Sequence, residues 1–350
     1  MEYGYVSACP PGDFEQQAAL LVSLTELLQY SPQTVLELAE ALIDRIPLIA
    51  IIRDEDQRRH AITMLTDWGL PAQGIYFVFM PVGTWTRDFA PAFVRWHDGT
   101  VRIVDAEYRF EGRPNEDVVP RALAGLLKLP RRGVPLVLEG GNLLSNGRGL
   151  CLTTDALVDV NNLNGRRYDA IQIRQILDEC YGFSQTVMLE PLMGYRTLHV
   201  DMFAAFTAAD VVVVGQCDAQ IDPKNAAVLD RNAQILTKVR TGGGRLRVER
   251  IPMPPYDGNG VRTYTNVIFA NGTLLVPHYP DVDPAIEERA MDVYAELLPD
   301  WELLRIDCGP LVPGGGSLRC LSAHVPWLHE HFRERPGRAR RQTLRPELRR

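Results

Sequence analysis

Short apolar runs alternate with amphipathic stretches along almost the whole 350-residue chain, and this alternation limits the folds open to it. The runs have the length and composition of buried strands, whereas the amphipathic stretches carry apolar residues at helical spacing. Because the two kinds of segment alternate, the sequence predicts an α/β or α+β class. The predicted strands are residues 48–52, 75–80, 92–96, 101–105, 135–138, 211–214, 267–269 and 273–276, and the predicted helices are residues 34–46, 57–68, 168–180 and 284–298.

The chain shows one abrupt change of composition, near its end. No long linker rich in proline, glycine or serine comes before it, so we expect one domain over residues 1–330, although the length would allow two. Residues 333–350 then contain eight arginines and two glutamates. This composition predicts a basic, flexible tail over residues 331–350.

The bulk composition argues against several classes of protein. With a net charge of −7, the chain has no broad basic surface, and nucleic acid is not an expected partner. The apolar runs are too short to cross a bilayer, and residues 1–14 lack the features of a signal peptide. The six cysteines have neither C-x-x-C nor zinc-site spacing. We therefore expect a cytoplasmic protein with no membrane partner, for which homo-oligomerisation stays open.

The first polar segment that the fold alone does not need is residues 83–91, directly after a predicted strand. It places Trp85 beside the adjacent pair Arg87 and Asp88. Such a segment at a strand end is a plausible binding loop. Seen alone, it is equally consistent with a surface ion pair near a half-buried tryptophan.

The second segment follows the predicted strand 135–138 and reads Glu139, Gly140, Gly141, Asn142. Paired glycines let the backbone turn sharply or approach a ligand closely. An exposed acid in a tight turn is the alternative interpretation.

The third segment contains His199 and Asp201. In an extended strand, residues two apart share a face, so we expect both side chains to point the same way. A histidine beside a carboxylate suits acid–base chemistry near neutral pH. A metal site is the rival use, but no further ligand lies at close spacing.

The fourth segment is a run of three glycines, Gly314 to Gly316, followed by Ser317 and, after Arg319, by Cys320. Consecutive glycines cost chain entropy and make sense where backbone must fold closely around another group. Exposed amides and the neighbouring Arg319 would favour the thiolate of Cys320. A buried, unreactive cysteine is the alternative.

In this order, the four segments resemble the agmatine deiminase and bacterial peptidylarginine deiminase family of guanidino-modifying enzymes. The family pattern has T-W-x-R-D-x-G-P, then E-G-G or G-G-N, then H-x-D, then a glycine-rich loop that ends in the nucleophilic cysteine. The likeness extends over residues 10–326. It implies an α/β fold of the pentein type, which is a five-bladed pseudo-symmetric α/β propeller with the site at its axis.

The resemblance also implies a mechanism and its residues. Asp88 and Asp201 hold the nitrogens of a planar guanidinium, Cys320 attacks its central carbon, and His199 serves as acid and then as base. Trp85 is expected to pack on the substrate, at about 0.5–2 kcal/mol for a cation–π contact. Substrate-binding positions that it implies further are Glu139, Gly140, Gly141 and Asn266, with no metal and no cofactor.

Three positions depart from the family pattern and leave the substrate open. Ala90 replaces the usual glycine, Ser317 another glycine, and Arg319 the histidine before the nucleophile. Agmatine is the first choice of small-molecule substrate. Free or peptidyl arginine is the second, with Arg109 or Arg113 as candidates to bind a carboxylate. An amidinotransferase and a non-catalytic binding protein on the same fold are further alternatives.

Overall fold

The computed structural model of the protein describes residues 8–96, 100–256, 258 and 260–326. The prediction of a flexible tail over 331–350 falls outside these residues, and the division into domains stays a prediction. Among the described residues, no helix combines the length and the apolar character needed to cross a membrane. The helices are α1 (Leu27–Tyr30), α2 (Pro32–Leu42), α3 (Glu55–Asp67), α4 (Thr86–Phe89), α5 (Val119–Leu127), α6 (Ala156–Leu163), α7 (Ala170–Tyr181), α8 (Pro223–Leu236) and α9 (Pro284–Leu297).

The strands are short, and several of the central ones are apolar and buried almost throughout. They are β1 (Ala19–Ser23), β2 (Leu48–Ile52), β3 (Ile75–Phe79), β4 (Ala92–Arg95), β5 (Val101–Glu107), β6 (Arg131–Val137), β7 (Leu144–Ser145), β8 (Leu150–Thr154), β9 (Gln185–Leu189), β10 (Ala204–Ala208), β11 (Val211–Gln216), β12 (Arg240–Thr241), β13 (Gly244–Arg245), β14 (Arg247–Pro252), β15 (Ile268–Ala270), β16 (Thr273–His278), β17 (Glu302–Asp307) and β18 (Ser322–Val325).

One pairing pattern recurs in five sheets of the described chain. In each sheet a strand pairs antiparallel with a middle strand, and the middle strand pairs parallel with a third. Four sheets have the orders β4-β5-β6, β7-β8-β9, β10-β11-β14 and β15-β16-β17. The fifth has the order β18-β1-β2-β3, so the last described strand supplies its antiparallel member. A structural repeat is therefore present where the sequence shows none.

The local sequence explains where several helices begin and end. Proline occupies the first turn of α2, α8 and α9, where a missing N–H costs nothing. Helix α3 is capped by the side chain of Asp54, which accepts from Gln57 N–H. Helix α7 opens with a capping box between Asp169 and Gln172 and ends at Gly182, whose φ is +74°.

The predicted segments agree with the structure in position, and the α/β class is confirmed. The strand predicted at 48–52 is β2 without change, and the helix predicted at 284–298 is α9 with one residue fewer. The strand predicted at 135–138 begins earlier, at Arg131. One prediction was wrong: residues 199–201 are not an extended strand, because Val200–Met202 form a 3-10 turn.

The connections between successive sheets carry all the candidate site segments. Helix α4, with Asp88, lies between β3 and β4, and Glu139 lies between β6 and β7. His199 and Asp201 lie between β9 and β10, Asn266 lies between β14 and β15, and Cys320 lies between β17 and β18. Each of the five inter-sheet connections thus contributes one segment.

Candidate active site

The four predicted motifs meet at one place, although they are distant in sequence. Helix α4 contacts both the 3-10 turn Gly140–Asn142 and the 3-10 turn Arg319–Leu321, and Gly140–Asn142 contacts Val200–Met202. The side chains of His199, Asp201 and Cys320 are buried, with at most 3% of the residue exposed. The structure therefore brings together an acid–base pair, a second carboxylate and a thiol.

His199 is held between two carboxylates. Its Nε2–H donates to Oε2 of Glu139 over 2.6 Å, and its Nδ1 lies 3.7 Å from Oδ1 of Asp88. Burial alone would lower the pKa of His199, but Asp88 and the hydrogen bond to Glu139 raise it to about 9. The imidazole is therefore protonated at neutral pH and can act as a general acid.

Burial has the opposite effect on the pKa of Asp88. Burial raises the pKa of this carboxyl to about 7; the charge of His199 lowers it, whereas the neighbouring Glu139 and Asp201 raise it further. A cation placed beside Asp88 would stabilise its ionised form. The group is therefore suited to bind a positively charged substrate.

Cys320 is a buried thiol next to two acids. Its backbone N–H donates to Oδ1 of Asn266 over 3.1 Å, which ties the nucleophile turn to the connection before β15. Burial raises the pKa of the thiol well above its ordinary value, and the charges of Asp201 and Asp88 add to the shift. The same acids would attract a cation, and a cation next to the sulfur would favour the thiolate.

Arg319 does not play the part expected of it. Its Nη1–H donates to Oδ2 of Asp201 over 2.8 Å, its Nε–H to Oδ2 of Asp13 over 2.7 Å, and its Nη2–H to the carbonyl of Leu143. Only 4% of its side chain is exposed. The expectation that it favours the thiolate of Cys320 is therefore wrong, because its charge is committed to two carboxylates. It orients Asp201 instead.

We expect Arg319→Gln to lower the free energy of unfolding by about 3 kcal/mol, because it leaves the fully buried Asp201 without its cation. Arg319→Lys should recover part of the loss, since it keeps the charge but cannot reach all three acceptors. Urea denaturation measures both. The matched control is Arg231→Gln, which removes an exposed pair with Glu190 and should leave the denaturation midpoint unchanged. Equal stability of Arg319→Gln and the parent protein would contradict the role of Arg319.

Three buried polar atoms of the site lack a hydrogen-bond partner. They are Oδ1 of Asp88, Oδ1 of Asp201 and Nδ1 of His199. Buried polar groups are almost always paired, so the two carboxylate oxygens mark where a ligand with several N–H donors would bind, and the Nδ1–H of protonated His199 is a free donor beside them. A guanidinium has five such donors in one plane.

The glycines of two motifs make room at the site. A Cβ on Gly141 would lie 2.4 Å from Nδ1 of His199 and 3.1 Å from Oδ1 of Asp88. A Cβ on Gly314 or on Gly316 would lie 2.5 Å from the ring of Trp85. Close approach thus explains why glycine occurs here, and the indole packs against the loop that leads to Cys320.

Two residues that the sequence did not single out as site residues hold the histidine segment. The side chain of Asn142 accepts from the N–H groups of both Thr154 and Val200. The hydroxyl of Thr154 donates to the carbonyl of Leu198, a bulky residue in the left-handed region with φ of +56°. The orientation of His199 therefore depends on a strained turn that is held in place by a hydrogen bond from Thr154 at the end of β8. Local sequence patterns gave no signal for this support.

Asp88, Glu139 and His199 are also the one set of described residues whose ligand atoms lie close enough to hold a metal ion, within 4.8 Å of one another. However, Nε2–H of His199 donates a hydrogen bond to Glu139, and a protonated imidazole has no free lone pair with which to bind a metal ion. We therefore expect dialysis against a chelator to leave turnover unchanged. Loss of activity that zinc restores would show a metal centre.

Residues 11–326 match the model of the Porphyromonas-type peptidyl-arginine deiminases. The chain belongs to this family. Its members are hydrolases that act on carbon–nitrogen bonds, so the family and enzyme class predicted from the sequence are confirmed.

Several proteins that are similar to this chain have names that refer to agmatine. A Shewanella baltica protein named provisionally as an agmatine deiminase is 24% identical over 280 residues, which cover 69% of this chain and 73% of the relative. The agmatine deiminase of Enterococcus faecalis has a TM-score of 0.79 at 21% identity, covering 91% of this chain and 96% of that one. A Cys-to-Ser variant of the C. jejuni agmatine deiminase, solved with substrate bound, has a TM-score of 0.75 at 21% identity, covering 94% and 98%.

The arginines expected to bind a carboxylate have other partners in this family member. Arg109 pairs with Glu107, and Arg113 pairs with Glu26 and Glu116. The Arg113 cluster lies beside the Trp85 segment, because Gly83 N–H donates to Glu116 over 2.7 Å. Both cations are therefore already matched by acids.

Proposed function

We propose that the protein hydrolyses a guanidinium group through Cys320, with agmatine as the first substrate, giving N-carbamoylputrescine and ammonia. The observation that carries the proposal is the set of unpartnered buried atoms of Asp88, Asp201 and His199 around a buried thiol. The two carboxylate oxygens match the N–H donors of a flat cation, and the Nδ1–H of protonated His199 is available to a departing nitrogen.

Binding comes first in the proposed reaction. The guanidinium donates to the free oxygens of Asp88 and Asp201, while the second oxygen of Asp201 stays on Arg319. Trp85 covers the substrate from the side of the glycine loop. The substrate's charge offsets the two carboxylates that keep Cys320 protonated, so binding itself favours the thiolate.

The chemistry then proceeds in two steps. The thiolate of Cys320 bonds to the central guanidinium carbon, His199 gives its proton to one nitrogen, and ammonia leaves with the electrons of the broken C–N bond. A thiouronium remains on the sulfur. His199, now neutral, takes a proton from water, and the hydroxide oxygen bonds to the same carbon. The C–S bond then breaks to release the thiolate and the ureido product, and the proton left on its oxygen passes to solvent.

The rate should depend on pH in a bell shape. Below about 7, protonation of Asp88 weakens cation binding, and above about 9, His199 loses the proton that ammonia release requires. We expect kcat/KM to be highest between these values. The acid limb of kcat should lie at lower pH than that of kcat/KM, because bound substrate stabilises the ionised groups. A kcat/KM optimum below pH 6 would contradict these assignments.

Agmatine is favoured over arginine by the charge next to Trp85. Glu26 and Glu116 exceed Arg113 by one negative charge, which suits a distal ammonium and disfavours a carboxylate. The test is a ureido-product assay on agmatine, free arginine and a peptide with C-terminal arginine, with Cys320→Ala as the blank. We expect agmatine to have the highest kcat/KM, and Glu26→Gln to lower it for agmatine only. A higher value for arginine would overturn this choice.

Deimination of free or peptidyl arginine is the second candidate. The family description names peptidyl-arginine, and Arg196 lies beside Gly315 with its Cβ and Cδ at 4.0 Å from the position of an added Cβ. Arg196 is exposed and would be the cation for a substrate carboxylate. Ammonia release with water as the sole acceptor would exclude an amidinotransferase and a purely binding role.

We also propose that the five sheets surround a common axis as the blades of a propeller. The recurring strand order supports this arrangement, and so does the contribution of one site segment from every inter-sheet connection. A crystal structure would test it directly. The homo-oligomer and the cytoplasmic location stay predictions from the sequence.

A further inference from the structure

A cavity lies beside the residues of the proposed active site, but those residues do not line it. Its volume is about 70 Å³, enough for a molecule of a few heavy atoms. Asp88, His199, Asp201 and Cys320 are absent from its lining. Its charged or titratable walls are Asp13, Arg87, Arg319 and His324, and its apolar walls include Pro11, Ala90, Pro91, Ala92, Phe93 and Leu143.

The charges that line this cavity do not cancel. Arg87 and Arg319 bring two positive charges, and Asp13 brings one negative charge. Burial alone would raise the pKa of Asp13, but Arg319, His324 and Arg87 hold it well below its usual range, so the carboxylate is ionised. Arg319 is also shared with Asp201 in the catalytic site. The carboxylates of Asp13 and Asp201 balance the two arginines in number, but both are hydrogen-bonded to Arg319, so the shortfall of direct partners falls on Arg87.

The contacts of Arg87 show the same shortfall. A guanidinium has five N–H donors, yet the one hydrogen bond of this side chain within the described chain runs from Nη2 to Nδ1 of His324, over 3.1 Å. Its nearest carboxylate oxygen, on Asp13, is 3.7 Å from Nη2. Its Nε is buried and has no partner, and 11% of the side chain is exposed. Burial and the nearby Arg319 lower its pKa to about 10.

We infer that this cavity is a binding site for a small aliphatic carboxylate of the acetate or propionate class. The carboxylate would accept from the free donors of Arg87, and its short alkyl group would pack on the proline and alanine wall. An anion of this kind supplies Arg87 with the direct partner that it lacks and accepts from the buried Nε–H. The site is separate from that of the proposed deimination, since the carboxylates of Asp88 and Asp201 lie beside Cys320 and would repel an anion there.

The site is tested by calorimetry and thermal melting of the full chain with sodium acetate, propionate and chloride at equal ionic strength. We expect acetate and propionate, but not chloride, to raise the melting midpoint by about 2 °C or more. Arg87→Gln should weaken acetate binding at least tenfold, and Arg87→Lys less. Arg231→Gln, which removes an exposed arginine, should bind as the parent protein does.

A second variant keeps the test decisive if Arg87→Gln fails to fold. Ala92→Leu fills the apolar wall and should weaken propionate more than it weakens formate. All measurements are repeated in Cys320→Ala, so that the outcome is independent of turnover. Equal effects of acetate and chloride, unchanged binding in the Arg87 and Ala92 variants, or competition between acetate and agmatine would each overturn the proposal.

Discussion

Replacing Cys320 with alanine is expected to reduce guanidine hydrolysis by about 10⁴-fold or more while the fold is retained. The sulfur forms the only covalent bond between enzyme and substrate in the proposed reaction, and no neighbouring group can replace it. The side chain is small and buried, and alanine leaves the backbone hydrogen bond to Asn266 in place. Ammonia release under single-turnover conditions measures the effect.

The matched control is Cys217→Ala, which removes a half-buried thiol outside the site segments and should retain full activity. Mass spectrometry of the acid-quenched parent enzyme should show an adduct of the mass of agmatine less ammonia, located on Cys320. If Cys320→Ala turns over agmatine at the parent rate, the covalent mechanism is excluded, whatever the substrate.

Gly141→Ala is the second change with a large expected effect. The added methyl group would lie 2.4 Å from Nδ1 of His199, within the space that we assign to the guanidinium. Since neither the backbone nor the imidazole can shift without losing the hydrogen bond to Glu139, we expect kcat/KM to fall about 10³-fold. Steady-state kinetics on agmatine measure the loss.

Gly125→Ala is the control for Gly141→Ala, because a Cβ at this position in α5 meets no atom within 4 Å. It should leave kinetics unchanged and raise the free energy of unfolding by about 0.5–1 kcal/mol, since glycine inside a helix is unfavourable. Activity of Gly141→Ala within a few-fold of the parent would show that the substrate binds elsewhere.

The elements that the sequence predicted are those with strong local patterns. The all-aliphatic run of β2 and the proline-led, periodic α9 were located within one residue. Strand β1 and helix α8 were missed, because β1 follows no clear turn signal and α8 mixes polar residues into its buried face, including Asn225 and Asn232. The recurring strand order depends on pairing between distant segments, which periodicity does not record.

The residues of the site could be predicted from the sequence, but the hydrogen bonds and ion pairs that connect them could not. The motifs named Cys320, His199, Asp88 and Asp201, and the structure places them together. Their partners were not visible, because Asp13 reaches Arg319 across 306 residues. Because of that contact, Arg319 does not act as expected. It is adjacent to Cys320 in sequence, but its charge is paired with the carboxylates of Asp13 and Asp201. Of the other departures, Ala90 lines the cavity beside Arg87, and the buried hydroxyl of Ser317 is hydrogen-bonded to that of Tyr279 over 3.0 Å.

The pairing of β1 with β18 has a consequence for synthesis of the protein on the ribosome. Strand β1 is translated early, but its antiparallel neighbour and the nucleophile both come from residues 320–325. Asp13 likewise cannot form its ion pair with Arg319 until residue 319 has been synthesised. A nascent chain can form the middle sheets, yet its first sheet is unfinished and Cys320 is missing until the last of these residues leaves the tunnel. On the mechanism that we propose, the enzyme is therefore inactive during its own translation, and early termination yields an inactive product with an open sheet edge.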